Sequence, residues 1–357
     1  MSDRPVRWGI LATGSIARTF VEDLQTMPDA EVVAVGSRTQ AAADEFAQRH
    51  QIPRAYGDWA SLAADEQVDV VYVATPHAAH YEAAKLCLTA GRAVLCEKPV
   101  TLSRQAAAEL VALAREAGVF FMEAMWTRCN PVIRRVAERL ADGAIGEVTA
   151  VHADFGLPGP VPPEHRLRDP ALGGGALLDL GIYPLTLAHL VLGTPATISA
   201  QASLTPEGVD QQTGLLLGYD SGAIAALTCG FIGGTRIGGS ITGRHGRIEL
   251  EPLFFRPERA VLHPTGGGSP EPIEAPLVGN GYVPQAAEVH RCLRAGLTES
   301  PLVPHETTLA MMSIMDTVRQ QIGVAYPGEP AATDPVVPRQ RSGSPAPAAA
   351  PDADAAG

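Results

Sequence analysis

From residue 6 to about residue 125, short apolar runs alternate with longer amphipathic stretches, and few folds accept that order. The runs VRWGIL (6–11), EVVAVG (31–36), VDVVYVAT (68–75), RAVLCEKP (92–99) and VFFMEA (119–124) have the length and β-branched content of buried strands. The stretch between the first two opens at a glycine turn and sets Ile16, Phe20, Val21 and Leu24 on one side of a helix. Further helical stretches follow at 39–50, up to 91 and at 102–118, the last two closed by Gly91 and Gly118. Strands separated by helices run parallel with helices on both faces, so this half is predicted to be a doubly wound parallel sheet of five strands, a dinucleotide-binding α/β domain of the Rossmann type over residues 1–125.

The pattern then changes. After a helical stretch at 131–141 come a strand at 147–156, a loop rich in Pro and Gly, and one helical stretch at 175–193. Strands at 196–204, 212–219, 223–231, 238–243 and 247–251 crowd together without helices between them. Tight turns such as Asp220-Ser221-Gly222 and Arg244-His245-Gly246 join some of them, so an open, largely antiparallel sheet is expected in an α+β second domain, residues 126–330. Helices at 284–295 and 306–322 close it. Residues 331–357 are rich in Pro, Ala and Ser without apolar period and are expected to be a disordered tail.

The net charge of −12 argues against a nucleic-acid partner, because phosphate binding needs a basic surface. Five scattered cysteines, Cys87, Cys96, Cys129, Cys229 and Cys292, read as free thiols of a reducing compartment and not as a metal site. No apolar run reads as a membrane span, and the start leads directly into a strand without a signal peptide, so a cytoplasmic protein is expected.

Six places carry residues suited to chemistry. The turn Gly9-Ile10-Leu11-Ala12-Thr13-Gly14-Ser15-Ile16-Ala17 joins the first strand to its helix, where backbone N–H groups can receive a pyrophosphate. Ala12 stands where the dinucleotide fingerprint has its first glycine, while Gly14 and Ala17 fit. The second strand ends in Gly36-Ser37-Arg38-Thr39, with no acid to hold a ribose hydroxyl and an arginine able to pair with a 2′-phosphate, so NADP is expected in preference to NAD. The third ends in Thr75-Pro76-His77 with His80 close by, at the cofactor cleft, and the fourth in Cys96-Glu97-Lys98-Pro99, where a lysine at a carboxyl end can enter a site and Pro99 can stiffen the turn. In the second half, Asp179 and Tyr183 lie four apart on one helical face, and Pro184 should disturb the turn that carries them. Trp126 and Arg128 follow the fifth strand at the domain junction, as candidates for a pocket wall.

In this order the motifs resemble the Gfo/Idh/MocA oxidoreductase family over roughly residues 6–327. The branch that this chain resembles most is that of dimeric dihydrodiol dehydrogenases and NADP-dependent D-xylose dehydrogenases. The stretches that say so are Ala93–Pro99, Met122-Glu123-Ala124-Met125-Trp126-Thr127-Arg128 and Gly173-Gly174-Gly175-Ala176-Leu177-Leu178-Asp179. Glu299–Pro304 and Ile322-Gly323-Val324 agree. Many family members carry His where this chain has Tyr183; the branch has Tyr. The resemblance implies an enzyme that moves a hydride between NADP(H) and a carbinol carbon of a sugar, polyol or cyclic diol. Tyr183 would be the acid/base, Lys98 its electrostatic partner and Asp179 the orienting group. Thr13, Gly14, Ser15, Ile16, Ser37, Arg38, Thr75, His77, His80, Glu97 and Lys98 would surround the cofactor, and Trp126, Arg128 and Phe155 the substrate. No metal is expected. A homodimer through the second sheet is implied as well. Three alternatives stay open: Lys98 itself as the acid/base, a non-catalytic NADP-sensing regulator of the same fold, and an enzyme that recycles a tightly held cofactor between two sugars, as in relatives that are typically exported.

Overall fold

The computed structural model describes residues 4–328. The tail expected from residue 331 lies outside them. Its first sheet has the strand order β3-β2-β1-β4-β5-β6, all parallel. The strands are β1 (Val6–Leu11), β2 (Ala30–Gly36), β3 (Arg54–Tyr56), β4 (Val70–Val73), β5 (Ala93–Cys96) and β6 (Phe121–Glu123). Helices α1 (Ser15–Leu24), α2 (Gln40–His50), α3 (Trp59–Ala64), α4 (His80–Thr89) and α5 (Arg104–Ala117) connect them. The sheet thus has six strands where the sequence reading had five. The missed β3 is three residues long, lies at the sheet edge and has none of its residues fully buried, so it leaves no apolar run. The order reverses between β1 and β4, and in such sheets that switch point opens a crevice at the carboxyl ends of the strands.

After α6 (Pro131–Ala141), the second sheet is built from β7 (Val148–Gly156), β8 (Thr197–Leu204), β9 (Asp210–Gly218), β10 (Ile224–Gly230), β11 (Gly239–Gly243), β12 (Gly246–Leu250), β13 (Arg259–Pro264) and β14 (Glu271–Glu274). Their order is β14-β13-β12-β11-β7-β10-β9-β8, antiparallel except for the β7–β10 pair. β13 and β14 escaped the sequence reading; β14 reads EPIE, charged and proline-bearing as edge strands often are. Helix α7 (Ile182–Leu192) packs on the inner face. The run Pro170–Leu192 is long and apolar enough to pass for a membrane span, contrary to expectation, but 78% of its apolar 18-residue window is buried inside the fold, so its apolarity serves the core.

The chain then returns to the first sheet through α8 (Val283–Arg294) and α9 (His305–Ile322). Trp8 Nε1 donates to His290 Nε2 at 2.9 Å, the Phe121 amide donates to the Thr298 carbonyl at 3.0 Å, and Thr308 Oγ1 donates to Glu123 Oε2 at 2.9 Å. These bonds clamp the C-terminal helices onto the first sheet, and α9 also packs on β8 of the second.

Candidate active site

The cleft has a volume of about 1100 Å³ and runs from the carboxyl ends of β1, β2, β4 and β5 to the second sheet. That is room for a dinucleotide with a small substrate. At its floor, Gly14 caps α1 in an extended conformation and no side chain caps the helix, so its first N–H groups are free to face the cleft beside Thr13, Ser15 and Ile16. A Cβ on Gly14 would meet nothing within 4 Å, which is the open space a pyrophosphate needs. Ala12, in the place of a glycine, adopts φ +91°. Ser37 and Arg38 line the far end. Arg38 is exposed, Ser37 is buried and 3.5 Å from Thr13 Oγ1, and the only carboxylates among the cleft's lining residues, Glu97 and Asp179, are at the opposite end. These residues fit a dinucleotide held at α1, and they leave a 2′-phosphate no opposing acid.

The other end is built around Lys98. The Lys98–Pro99 bond is cis. Glu97 accepts from the buried Tyr72 hydroxyl and, at 3.2 Å, from the Lys98 amide; burial raises its pKa. Lys98 Nζ donates to the Asp179 carbonyl at 2.8 Å and lies 3.2 Å from Asp179 Oδ1. Burial alone would lower the Lys98 pKa, but Asp179, Tyr183 and Glu97 outweigh it and hold the ammonium charged. Burial likewise works against the Asp179 carboxylate, yet Lys98, His77 and Arg166 keep it well below the ordinary range.

Asp179 owes its placement to a π-helical turn over Leu177–Gly181 that leads into α7. The disturbance expected from Pro184 takes this form: the residue five on from Asp179 carries no N–H, and the Asp179 carbonyl accepts from Lys98. Asp179 and Tyr183 both line the cleft. Tyr183 OH accepts from Trp126 Nε1 at 3.1 Å. Phe155 packs 5.4 Å from the Tyr183 ring, and both rings meet Phe255 at 4.9 Å between centroids. Tyr282 stacks on Trp126 at 4.3 Å.

The two histidines are braces. His80 is fully buried, with Nδ1 2.7 Å from the Pro99 carbonyl and Nε2 2.8 Å from the Thr75 carbonyl, so it ties the β4 loop to the cis-proline turn. Burial and the neighbouring His77 and Lys98 push it down to about 3 against the pull of those carbonyls. His77 has Nδ1 3.0 Å from the Gly173 carbonyl and Nε2 3.4 Å from Asp179 Oδ1. Arg128 is not in the cleft, contrary to expectation: its Nε donates to the Leu302 carbonyl at 2.7 Å. It sits two residues from Trp126 in a 3₁₀ turn, Trp126–Cys129, and a turn of three residues points the two side chains apart.

Arg166, Phe255, Arg256, Asn280 and Tyr282 line the cleft and were missed. Arg166 donates to Asp179 Oδ2 at 2.9 Å from the Pro- and Gly-rich loop. The signal for it was the glycine run beside that loop. A Cβ on Gly174 would come within 2.8 Å of the Arg166 carbonyl, so glycine is what lets the loop approach.

Residues 6–125 match the model of an oxidoreductase family with an NAD-binding Rossmann fold, GFO_IDH_MocA, and residues 133–249 match the GFO/IDH/MocA C-terminal domain. The chain belongs to the GFO/IDH/MocA oxidoreductase family. Relatives in this family include the trans-1,2-dihydrobenzene-1,2-diol dehydrogenase of Bos taurus, 38% identical over 332 residues, which cover 90% of this chain and 98% of that one. The Homo sapiens protein of that name is 38% identical over 330 residues with the same coverage. Among solved structures, a 3-ketoreductase from Actinomadura kijaniata in complex with NADP and TDP-benzene has a TM-score of 0.79 at 29% identity, covering 89% of this chain and 98% of that one. The aldose-aldose oxidoreductase of Caulobacter crescentus, complexed with glycerol, has a TM-score of 0.80 at 25% identity, covering 89% and 97%.

Proposed function

We propose that the protein is an NADP(H)-dependent dehydrogenase acting on a carbinol carbon of a sugar, polyol or cyclic diol. The observation that carries this reading is the convergence of Lys98, Asp179 and Tyr183 at the end of the cleft away from Arg38. The bound cofactor supplies the hydride chemistry. In the reductive direction Tyr183 holds the proton, because burial raises its phenol further than Lys98 and Trp126 lower it, and gives it to the nascent alkoxide. Lys98 stays an ammonium and stabilises negative charge on that oxygen, while Asp179 holds Lys98 in place. The names of the relatives, diol dehydrogenases and sugar oxidoreductases, support the substrate class. Arg38 and the absence of any lining carboxylate near it support NADP.

The test is the absorbance of the NADPH band with purified protein and a panel of trans-diols, aldoses and polyols. Turnover of at least one with NADP is expected; binding of NADP without turnover of any would favour the sensing regulator.

The outer face of the second sheet is the proposed homodimer surface. Leu216 on β9 and Ile224 on β10 are 52% and 48% exposed, and they share a face, since Ala226 is the register partner of Leu216 and lies two residues from Ile224. Light scattering on a size-exclusion column should give twice the chain mass, reduced to one by Leu216→Glu. A wild-type monomer overturns the assignment.

A further inference from the structure

Arg256 stands in the segment between β12 and β13, on the substrate side of the cleft, and lines it. It is half-buried, and among the described residues its guanidinium has no hydrogen-bond or ion-pair partner. The other partly or fully buried arginines among these residues each hold a carboxylate or carbonyl, from Arg7 on Asp69 to Arg319 on Asp316. A partnerless guanidinium whose nitrogens are open to the cleft can take an anion from outside the chain.

The backbone that presents Arg256 is fixed on both sides. Thr127 Oγ1 donates to the Phe255 carbonyl at 2.7 Å, Asn130 Nδ2 donates to the Pro257 carbonyl at 3.1 Å, and the Arg256 amide donates to the Leu253 carbonyl at 2.8 Å. This is a held turn, not a loose surface loop. Arg256 and Tyr282 line the same cleft. The two carboxylates that line the cleft are engaged elsewhere: Asp179 is shared by Lys98 and Arg166, and Glu97 is held by Tyr72. Phe255, the preceding residue, has its ring centroid 4.9 Å from that of Tyr183, and Arg256 and Tyr183 both line this cleft.

We propose that Arg256 docks an anionic group of the substrate, a carboxylate or a phosphate, so that the preferred substrate is an acidic sugar derivative. The inference rests on the dehydrogenase reading above and narrows it. A planar guanidinium fork matches either oxyanion with two parallel hydrogen bonds. The cofactor's 2′-phosphate belongs at the opposite end, on the first sheet, beside Arg38.

The experiment compares D-glucose, D-glucuronate and D-glucose 6-phosphate, which share one anomeric carbinol, at saturating NADP. In the wild type, kcat/KM is expected to be higher for at least one acidic member than for glucose, and which one tells carboxylate from phosphate. Arg256→Gln should lower that acidic-to-neutral ratio roughly ten- to hundredfold, the scale of a charge-assisted hydrogen bond, and Arg256→Lys should restore part of it. A wild-type ratio at or below one, a ratio unchanged by Arg256→Gln, or an effect confined to the KM for NADP overturns the proposal. If the wild type turns over none of the three, the dehydrogenase reading is what has failed for these sugars. Calorimetric titration of glucuronate and glucose 6-phosphate into the NADP-loaded protein then decides: binding that Arg256→Gln abolishes supports the anion site, and no wild-type binding overturns it.

Discussion

The Lys98 ammonium lies over the face of the Tyr183 ring, 4.9 Å from its centroid, while the Tyr183 hydroxyl accepts from Trp126 Nε1. Lys98 therefore acts on the phenol through its field and not by sharing its proton. Lys98, the electrostatic partner expected for Tyr183, lowers the phenol pKa by its own contribution, but burial is larger and the net direction is upward.

That geometry separates the two candidates for the proton. Asp179 keeps Lys98 charged, so Lys98 makes a poor base. Tyr183→Phe, which removes only the oxygen, should cut turnover roughly 10²–10⁴-fold, with NADP affinity nearly unchanged. Oxidation by the wild type should speed up as pH rises, since a raised phenol is more often ionised at higher pH, and Tyr183→Phe should flatten that rise. Lys98→Met should be at least as damaging. A Tyr183→Phe enzyme that keeps most of its turnover, beside a dead Lys98→Met, assigns the proton to Lys98.

Gly14, Lys98, Asp179 and Tyr183 were legible in the sequence because each sits where a periodic element meets a motif: a strand end, a helix start, a helical face. Arg166, Arg256, Asn280 and Tyr282 were not, because they come from irregular segments that the fold folds back over the cleft, and such segments have no period to read. Arg128 was misjudged by adjacency to Trp126, where a 3₁₀ turn separates neighbours. The strand alternation located the first sheet but not its three-residue edge β3, whose pairing with β2 is a tertiary matter.

Cofactor choice should depend on Arg38. A charge-assisted pair with the 2′-phosphate contributes about 1.5–3 kcal/mol, so catalytic efficiency with NADP should exceed that with NAD by roughly tenfold or more. Arg38→Ala should erase most of the difference. Equal efficiencies in the wild type would mean that the end of β2 does not read the phosphate.

Acid should remove one contribution to the fold's stability from about pH 6.5 downward, the ordinary histidine value. His189 is pushed down to about 4 by burial and Arg128. It stays neutral in the folded chain while the unfolded chain takes up protons, so its contribution to stability is present above pH 6.5 and is lost as pH falls toward 4. Glu123 and Asp210, raised to about 7 and about 6 by burial, work in the opposite sense between their unfolded values and those. The histidine effect can be isolated by thermal melts of His189→Gln, which should lose fewer degrees than the wild type between pH 7.5 and pH 5. Equal losses would show that His189 ionises in the folded chain.

The wall opposite Tyr183 hangs on a carboxylate in α1. Asp23 is buried; its Oδ1 accepts from the Asn280 amide at 2.7 Å and from Asn280 Nδ2 at 3.0 Å, and its Oδ2 accepts from the Tyr282 amide at 2.7 Å. Tyr282 stacks on Trp126, and Trp126 donates to Tyr183, so the loop reaches the reacting group through two contacts. Asp23 is thus a positioning residue. Asp23→Asn sets an amide N–H₂ against backbone donors, which loosens the loop without touching the proton carrier. The expected result is a KM for substrate raised by about tenfold, with kcat and its pH profile moved far less. Asp23→Glu, which restores the acceptor, should recover part of the loss. A fall in kcat as large as the rise in KM, or a changed pH profile, would place Asp23 in the proton chemistry and contradict this assignment.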